Sequence, residues 1–232
     1  MISVIIPTYN EANHIKRTIQ KIRQYDEANL IKQIIVADGK STDDTGRIAS
    51  EEGAKIVISP TKGRAAQMNY GASFASENIL YFIHADTLPV KGFTKDILIM
   101  INKGVNAGCF MLSFDYGHWF LKANCWFTRF DVDAFRYGDQ SLFVHAADFK
   151  KVNGFSEKHI VFEDYQIIKQ LKKTGLFAII KKPVLTSARK YLDNGIFKTQ
   201  GIFYLMYFLY KLGYSQQQLV STYKRLIKQD KL

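Results

Sequence analysis

Five acidic residues stand where apolar stretches of this chain begin or end: Glu11 after "SVIIPTY", Asp38 closing "QIIVAD", Asp86 closing "ILYFIHAD", and the pair Glu163-Asp164 after "IVF". A carboxylate at the end of a buried strand is costly unless a cation, a hydrogen-bond cage or a metal answers it. Lys62 and Arg64, after the apolar stretch "AKIVIS", supply cations. Taken singly, Glu11 and Asp43 also suit helix N-termini, a preference worth about 0.3 to 1 kcal/mol. Asp38 and Asp86 end apolar strands and have no such explanation, so their joint occurrence points to a site.

The elements that position these residues alternate in the first half. "SVIIPTY" reads as a strand, and "EANHIKRTIQKIRQ" as a helix with Asn10 placed to cap it and Ile15, Ile19 and Ile22 on one face. "QIIVAD" is a second strand, "STDDTGRIASEEG" a helix, "AKIVIS" a third strand, "GRAAQMNYGASFAS" a helix and "ILYFIHAD" a fourth strand. Such alternation implies right-handed crossovers and an α/β fold with a mostly parallel central sheet. Ligands of such sheets bind beyond the carboxyl ends of the strands, which is where the acidic residues lie. After Asp86 the pattern loosens. Helices are expected near "FTKDILIMINKG", "HWFLKANCWFTRF" and "EDYQIIKQLKKTG", strands near "GCFMLSFD", "SLFVHA" and "FAIIKKPVLTS", and closing helices over 196–212 and 215–229.

Composition narrows the classes. The 232 residues are 47% hydrophobic, ample for a core, and the two cysteines, Cys109 and Cys125, suit neither a disulfide framework nor a zinc site. The N-terminal stretch lacks the features of a secretory signal, so a cytoplasmic location is expected. A net charge of +11 suits phosphate-bearing ligands, nucleic acid or an anionic membrane. "GKS" at 39–41 is no P-loop, because Ile34 stands where its first glycine is needed, and no G-x-G-x-x-G follows the first strand.

"VIIPTYNE", "IIVADGKSTDDT", "GRAAQMNYGA", "FIHADTLP", "GDQSLFVHAADFKKVNGF" and "FEDYQIIKQLKKTG", in this order and spacing, resemble the family 2 glycosyltransferases over nearly the whole chain. "HAD" in place of D-x-D, with "GDQ" and "TSARK", is similar to a small subfamily that includes enzymes associated with arsenosugar biosynthesis. The resemblance implies a GT-A fold, the Rossmann-like fold of nucleotide-diphospho-sugar transferases, with C-terminal helices. It implies a catalytic domain over 1–195, with a nucleotide-binding half over 1–90 and an acceptor-binding half over 91–195, and a helical extension over 196–232.

The implied activity is inverting transfer of a sugar from a nucleotide diphosphate, expected to be UDP, to an acceptor hydroxyl. By that similarity Asp86 holds Mg²⁺ or Mn²⁺ against the diphosphate. Pro7, Thr8, Glu11, Asp38, Arg64 and Ala85 join Asp86 in lining the donor, and Asp164 is the general base. Asp139, Gln140, Glu163 and Arg189 fall on the sugar or acceptor side, Arg189 resembling a basic residue near the diphosphate. Two departures stand out: His84 replaces the first Asp of D-x-D, and Met68 occupies a place where relatives commonly carry Arg.

The partners implied are a nucleotide-sugar and a hydroxyl acceptor, a lipid-linked one among the candidates, rather than nucleic acid. "IFYLMYFLYKLGY" is too short to span a bilayer, which takes about 20 apolar residues. It reads first as a core helix packed on the catalytic domain, with a dimer contact or an interfacial helix at the inner face of the cell membrane as the alternatives. Two competing classes are a sugar nucleotidyltransferase, whose Gly-rich loop is missing from "PTYNEANHI", and a non-catalytic basic module binding membrane or nucleic acid.

Overall fold

The computed structural model describes residues 1–132 and 138–228. In its first half, strands and helices alternate: β1 (Ile2–Thr8), α1 (Ala12–Tyr25), β2 (Ile31–Asp38), α2 (Thr45–Glu51), β3 (Lys55–Ile58), α3 (Arg64–Ser73) and β4 (Ile79–Phe82). β1 is buried along its whole length, as a strand covered on both faces must be. Its side chains alternate: Val4 and Ile6 join Ile15, Ile19 and Ile22 of α1, while Ile5 packs on the other face with Ala65 and Met68 of α3.

These four strands pair in parallel in the order β3-β2-β1-β4. The chain runs outward from β1 to β3 and then returns to the opposite side of β1. That reversal opens a crevice at the carboxyl ends of β1 and β4. Glu11 follows one and Asp86 the other.

The second half adds β5 (Thr87–Leu88), α4 (Phe93–Asn102), β6 (Val105–Phe114), α5 (Trp119–Phe127), a single 3-10 turn at Gly138–Gln140, β7 (Leu142–His145) and α6 (Ala146–Lys151). It closes with α7 (Glu163–Thr174), β8 (Leu176–Thr186), α8 (Arg189–Asn194), α9 (Ile196–Lys211) and α10 (Gln216–Leu226). The described sheet has eight strands in the order β3-β2-β1-β4-β7-β6-β8-β5. β7 runs antiparallel between β4 and β6, β5 is antiparallel to β8, and β6 and β8 are parallel. All three antiparallel pairs among the described residues involve strands of the second half, although helices still separate β5, β6, β7 and β8 along the chain.

Local details differ from the sequence reading. Asn10 does not cap α1. It adopts a left-handed φ of 52°, and its side-chain oxygen accepts from Thr42 N at 2.8 Å, clasping the loop after β2. β4 ends at Phe82, so His84, Ala85 and Asp86 lie in a loop. The helix after β2 begins at Thr45 rather than Ser41, because Asp38 and Asp43 hold that loop with their own side chains. The last helix is shorter than expected, and residue 229 falls outside the described residues.

α9 and α10 share a separate small core of Ile202, Met206, Leu219, Tyr223 and Ile227 that reaches back to Val161. Ser215 and Gln218 form a reciprocal capping box that starts α10. Among the described residues, no helix is long and apolar enough to cross a membrane.

Candidate active site

Two clusters of charge sit at the carboxyl edge of the sheet. In the first, Arg189 bridges Glu11 and Asp86: Nη2 donates to Glu11 Oε1 and Asp86 Oδ2, each at 3.0 Å, and Nη1 reaches Glu11 Oε2 at 3.3 Å. The backbone explains this meeting of residues far apart in sequence. β5 pairs with the end of β8, with the Thr87 and Thr186 hydroxyls 2.8 Å apart, and Ser187 N donates to Asp86 O at 3.2 Å. Asp115 accepts from Ala188 N at 2.8 Å and fixes the turn into α8, which throws Arg189 across the crevice. Burial works against the guanidinium's charge, but its bonds to Glu11 and Asp86 outweigh that, and its proton is held more tightly than usual.

On the other side of Asp86, Thr18 of α1 donates to Ala85 O at 2.6 Å, so this loop is fixed from both flanks. Asp86 Oδ1 accepts no hydrogen bond from the described residues.

The second cluster surrounds the start of α7. Phe162, its N-cap, has φ 65°, a left-handed conformation that is strained for a bulky side chain. α9 holds it there: the Phe162 ring lies 4.7 Å from that of Tyr210, whose hydroxyl accepts from Gln166 of α7. The turn buries Glu163 and leaves Asp164 half-buried beside it. Arg64 Nε stands 2.8 Å from Glu163 Oε1, an ion-pair distance, yet its N–H is not aimed along that line, and neither Glu163 oxygen receives a hydrogen bond from the described residues. The Arg64 guanidinium, held chiefly by the Glu163 charge, keeps its proton more firmly than a free arginine.

Burial pushes the Asp164 carboxyl up to about 7, with the Glu163 charge adding to the rise and Arg64 and His84 opposing it. His84, Gly138, Ser141, Met68 and Asp164 line one small cavity. Gly138 packs so closely that a Cβ there would lie 2.1 Å from Asp164 Oδ2. Gly138→Ala therefore forces the carboxylate aside, and we expect a loss of about 1–3 kcal/mol in stability, read from the denaturation midpoint.

Asp139 ties the clusters together, because its charge acts on Arg64, Asp164 and Arg189 alike. Gln140 beside it is buried, its amide donating to Phe110 O at 3.1 Å.

Asp38 stands one strand further out. Its Oδ1 accepts from the hydroxyls of Thr8, at 3.0 Å, and Ser41, and its Oδ2 from Ser41 N at 2.7 Å. Most of its hydrogen-bonding capacity is spent shaping the edge, and one direction at Oδ2 stays open. Pro7 and Thr8 are buried at the end of β1. Lys62 lies outside both clusters, its ammonium 4.4 Å from the centre of the Tyr9 ring.

Sequence reasoning missed several organisers of this edge. Gln67 of α3 donates to Thr8 O at 2.6 Å and Ala37 O at 2.9 Å, stapling the ends of β1 and β2. A lone amide on the otherwise apolar buried face of "GRAAQM" was the available signal. Thr45, which accepts from Glu11 N at 2.8 Å, and Tyr210 behind Phe162 carried none.

The Glu11 and Asp86 carboxylates, close enough to share one guanidinium, suit a divalent cation. Among the described residues no three His, Cys, Asp or Glu side chains cluster into a self-sufficient metal cage. The fit is therefore to an ion that takes one or two protein carboxylates and completes its shell with phosphate oxygens and water, as Mg²⁺ does.

Comparison with known proteins places this architecture. An uncharacterized glycosyltransferase of Rickettsia felis is 36% identical over 85 residues, which are 37% of this chain and only 28% of that protein. The fold is similar to a mannosyltransferase of Pyrobaculum calidifontis solved with GDP-Man and Mn²⁺ (TM-score 0.69, 16% identity, 90% of this chain and 61% of that one). It is also similar to the Mycobacterium tuberculosis glucosyl-3-phosphoglycerate synthase solved with Mn²⁺, UDP and glucosyl-3-phosphoglycerate (TM-score 0.64, 18% identity, 99% of this chain and 81% of that one). These likenesses show the GT-A fold. The model of glycosyl transferase family 2 matches residues 3–150, more than half of the sequence, and the chain belongs to that family.

Proposed function

We propose that the protein transfers a sugar from a nucleotide diphosphate, a UDP-sugar, to an acceptor hydroxyl with inversion at the sugar carbon. The observation that carries this reading is the pairing of two unlike carboxylates along one edge. Asp86 is held by the Arg189 guanidinium. Asp164, packed against Gly138, has its proton affinity raised by burial and the Glu163 charge, while the charge of Asp139 acts on both Asp164 and Arg189. One suits charge on a leaving diphosphate, and the other suits removal of a proton. The solved relatives in complex with GDP-Man and Mn²⁺, or with UDP and Mn²⁺, support the donor class and the use of a divalent ion.

Pro7, Thr8 and Asp38 form the base and ribose side, Asp38 accepting from the base through the open direction of Oδ2. Glu11, Ala85 and Asp86 form the diphosphate side. Asp86 holds Mg²⁺ or Mn²⁺, which supplies Lewis-acid stabilisation of the leaving group when bound. Arg189 then gives up its hold on Asp86 and turns to the diphosphate, where a guanidinium binds oxygen pairs well. Asp164 accepts the acceptor's hydroxyl proton as the new oxygen–carbon bond forms. The bond from that carbon to the diphosphate breaks on the opposite face, and its electron pair leaves on the phosphate oxygen. Displacement in a single step inverts the configuration.

Arg64 and Glu163 act mainly through Asp164, one lowering and the other raising its proton affinity. Asp139 and Gln140 border the sugar side, where Asp139 is free to accept from hydroxyls. The catalytic unit runs to residue 195, and α9 and α10 form an extension with its own apolar cluster.

Calorimetric titration with UDP tests the reading. We expect binding that strengthens about tenfold or more with Mn²⁺, since the protein offers too few ligands to hold the ion without phosphate. Failure to bind UDP with or without the metal overturns it.

A further inference from the structure

α9 is apolar nearly all round, yet only one side of it is covered. Thr199, Gln200, Ile202 and Met206 face the protein. At about 100° per residue, Phe197, Gly201, Tyr204, Leu205, Phe208 and Leu212 fall on one outward stripe, with Lys211 at one edge and Lys198 at the other. All eight are exposed, Phe197 and Phe208 at 59% and Leu212 at 60%.

α5 extends the stripe. Its Trp119, 67% exposed, and Phe120 lie against Phe197, with ring centres 6.3 and 4.8 Å away, and Asn124 accepts from the Tyr204 hydroxyl at 2.7 Å. Further along, exposed Trp126 lies under the Arg129 guanidinium, 4.5 Å from its ring centre, and Lys122 is exposed between the two tryptophans.

We propose that this outward face of α5 and α9 is a docking surface for an anionic lipid bilayer. A continuous apolar patch of this kind on a soluble fold marks an interaction site. Charge chooses the occupant. The chain carries +11 overall, and from Arg189 onward eight Lys or Arg face two Asp. A second copy would bring the same positive edge against itself, whereas an anionic membrane complements it. The residue types agree as well: Trp and Tyr favour the headgroup level, and lysines at the stripe's edges keep their ammonium groups wet while their stems lie on apolar surface. The Lys211 ammonium already sits at such a margin, donating to the Tyr165 hydroxyl at 2.7 Å. The helix lies in the interface plane and does not span it.

Sedimentation of the full chain with vesicles tests the proposal without reference to transfer. Binding to phosphatidylglycerol–phosphatidylcholine vesicles is expected to exceed binding to phosphatidylcholine alone by about tenfold or more and to weaken as salt rises. The double variant Phe197→Ser/Phe208→Ser is expected to lose about tenfold or more of that binding at unchanged melting temperature and UDP affinity. Lys198→Glu lowers it with the apolar stripe intact. Three outcomes overturn the proposal: no sedimentation with either vesicle, equal binding by the double variant, or a concentration-dependent dimer that the same substitutions dissociate. UDP binding persists in each of these if the transferase reading is right.

Discussion

Asp164→Asn is expected to lower sugar transfer by about 10² to 10⁴, the usual worth of a positioned general base. The amide keeps the shape of the carboxylate against Gly138 but cannot take a proton. UDP release measured across a panel of UDP-sugars and hydroxyl acceptors is the readout, and near-normal turnover in the variant removes the assignment. The fold itself is expected to gain. Because the carboxyl is raised from 3.8 to about 7, the folded chain holds this proton better than the unfolded chain does. Its stabilising contribution is complete below the unfolded value and is lost as pH rises through about 7. Above pH 7 the ionised Asp164 is a burden, so the variant unfolds at higher denaturant than the parent at pH 8, and the gap narrows toward pH 5. In the parent, kcat/KM is expected to rise with pH around 7, with an apparent value that belongs to the Glu163–Asp164 pair rather than to one residue.

Asp86→Ala is expected to cut transfer by about 10² to 10³, the usual cost of losing one preorganised group at developing charge. The sharper signature lies in binding: UDP still associates, but Mn²⁺ no longer strengthens it. Arg189 keeps its two contacts to Glu11, so the melting temperature changes little. A variant that retains the full Mn²⁺ enhancement places the metal elsewhere.

The first half of the fold was legible because buried parallel strands announce themselves as apolar runs, and β1 and β2 end where those runs end. Asp38 and Asp86 stood out for the same reason. What the sequence concealed depends on direction and on distant partners. Nothing in "SLFVHA" tells β7 to run antiparallel between β4 and β6, since a strand's alternation is the same in either sense. Nothing near "TSARK" reveals that a two-residue strand at Thr87 will carry Arg189 onto Glu11 and Asp86. Arg64 looked like a phosphate ligand by position along the edge, yet its strongest partner is Glu163, 99 residues away in "FEDYQ". Asn10 had the right chemistry for a helix cap, but a second use for its side chain, in the loop after β2 at Thr42, prevailed.

The hold of Arg189 on both Glu11 and Asp86 has a thermodynamic corollary. If Asp86 takes a divalent ion as proposed, the site already holds a monovalent counter-ion in its place, so metal capture would be an exchange and not a simple filling of a vacancy. Arg189 makes three charge-assisted bonds there, two to Glu11 and one to Asp86, and the bond to Asp86 would be given up in that exchange. On the proposed reading, metal and nucleotide would be mutually dependent guests, and the empty site would rest in its arginine-locked form.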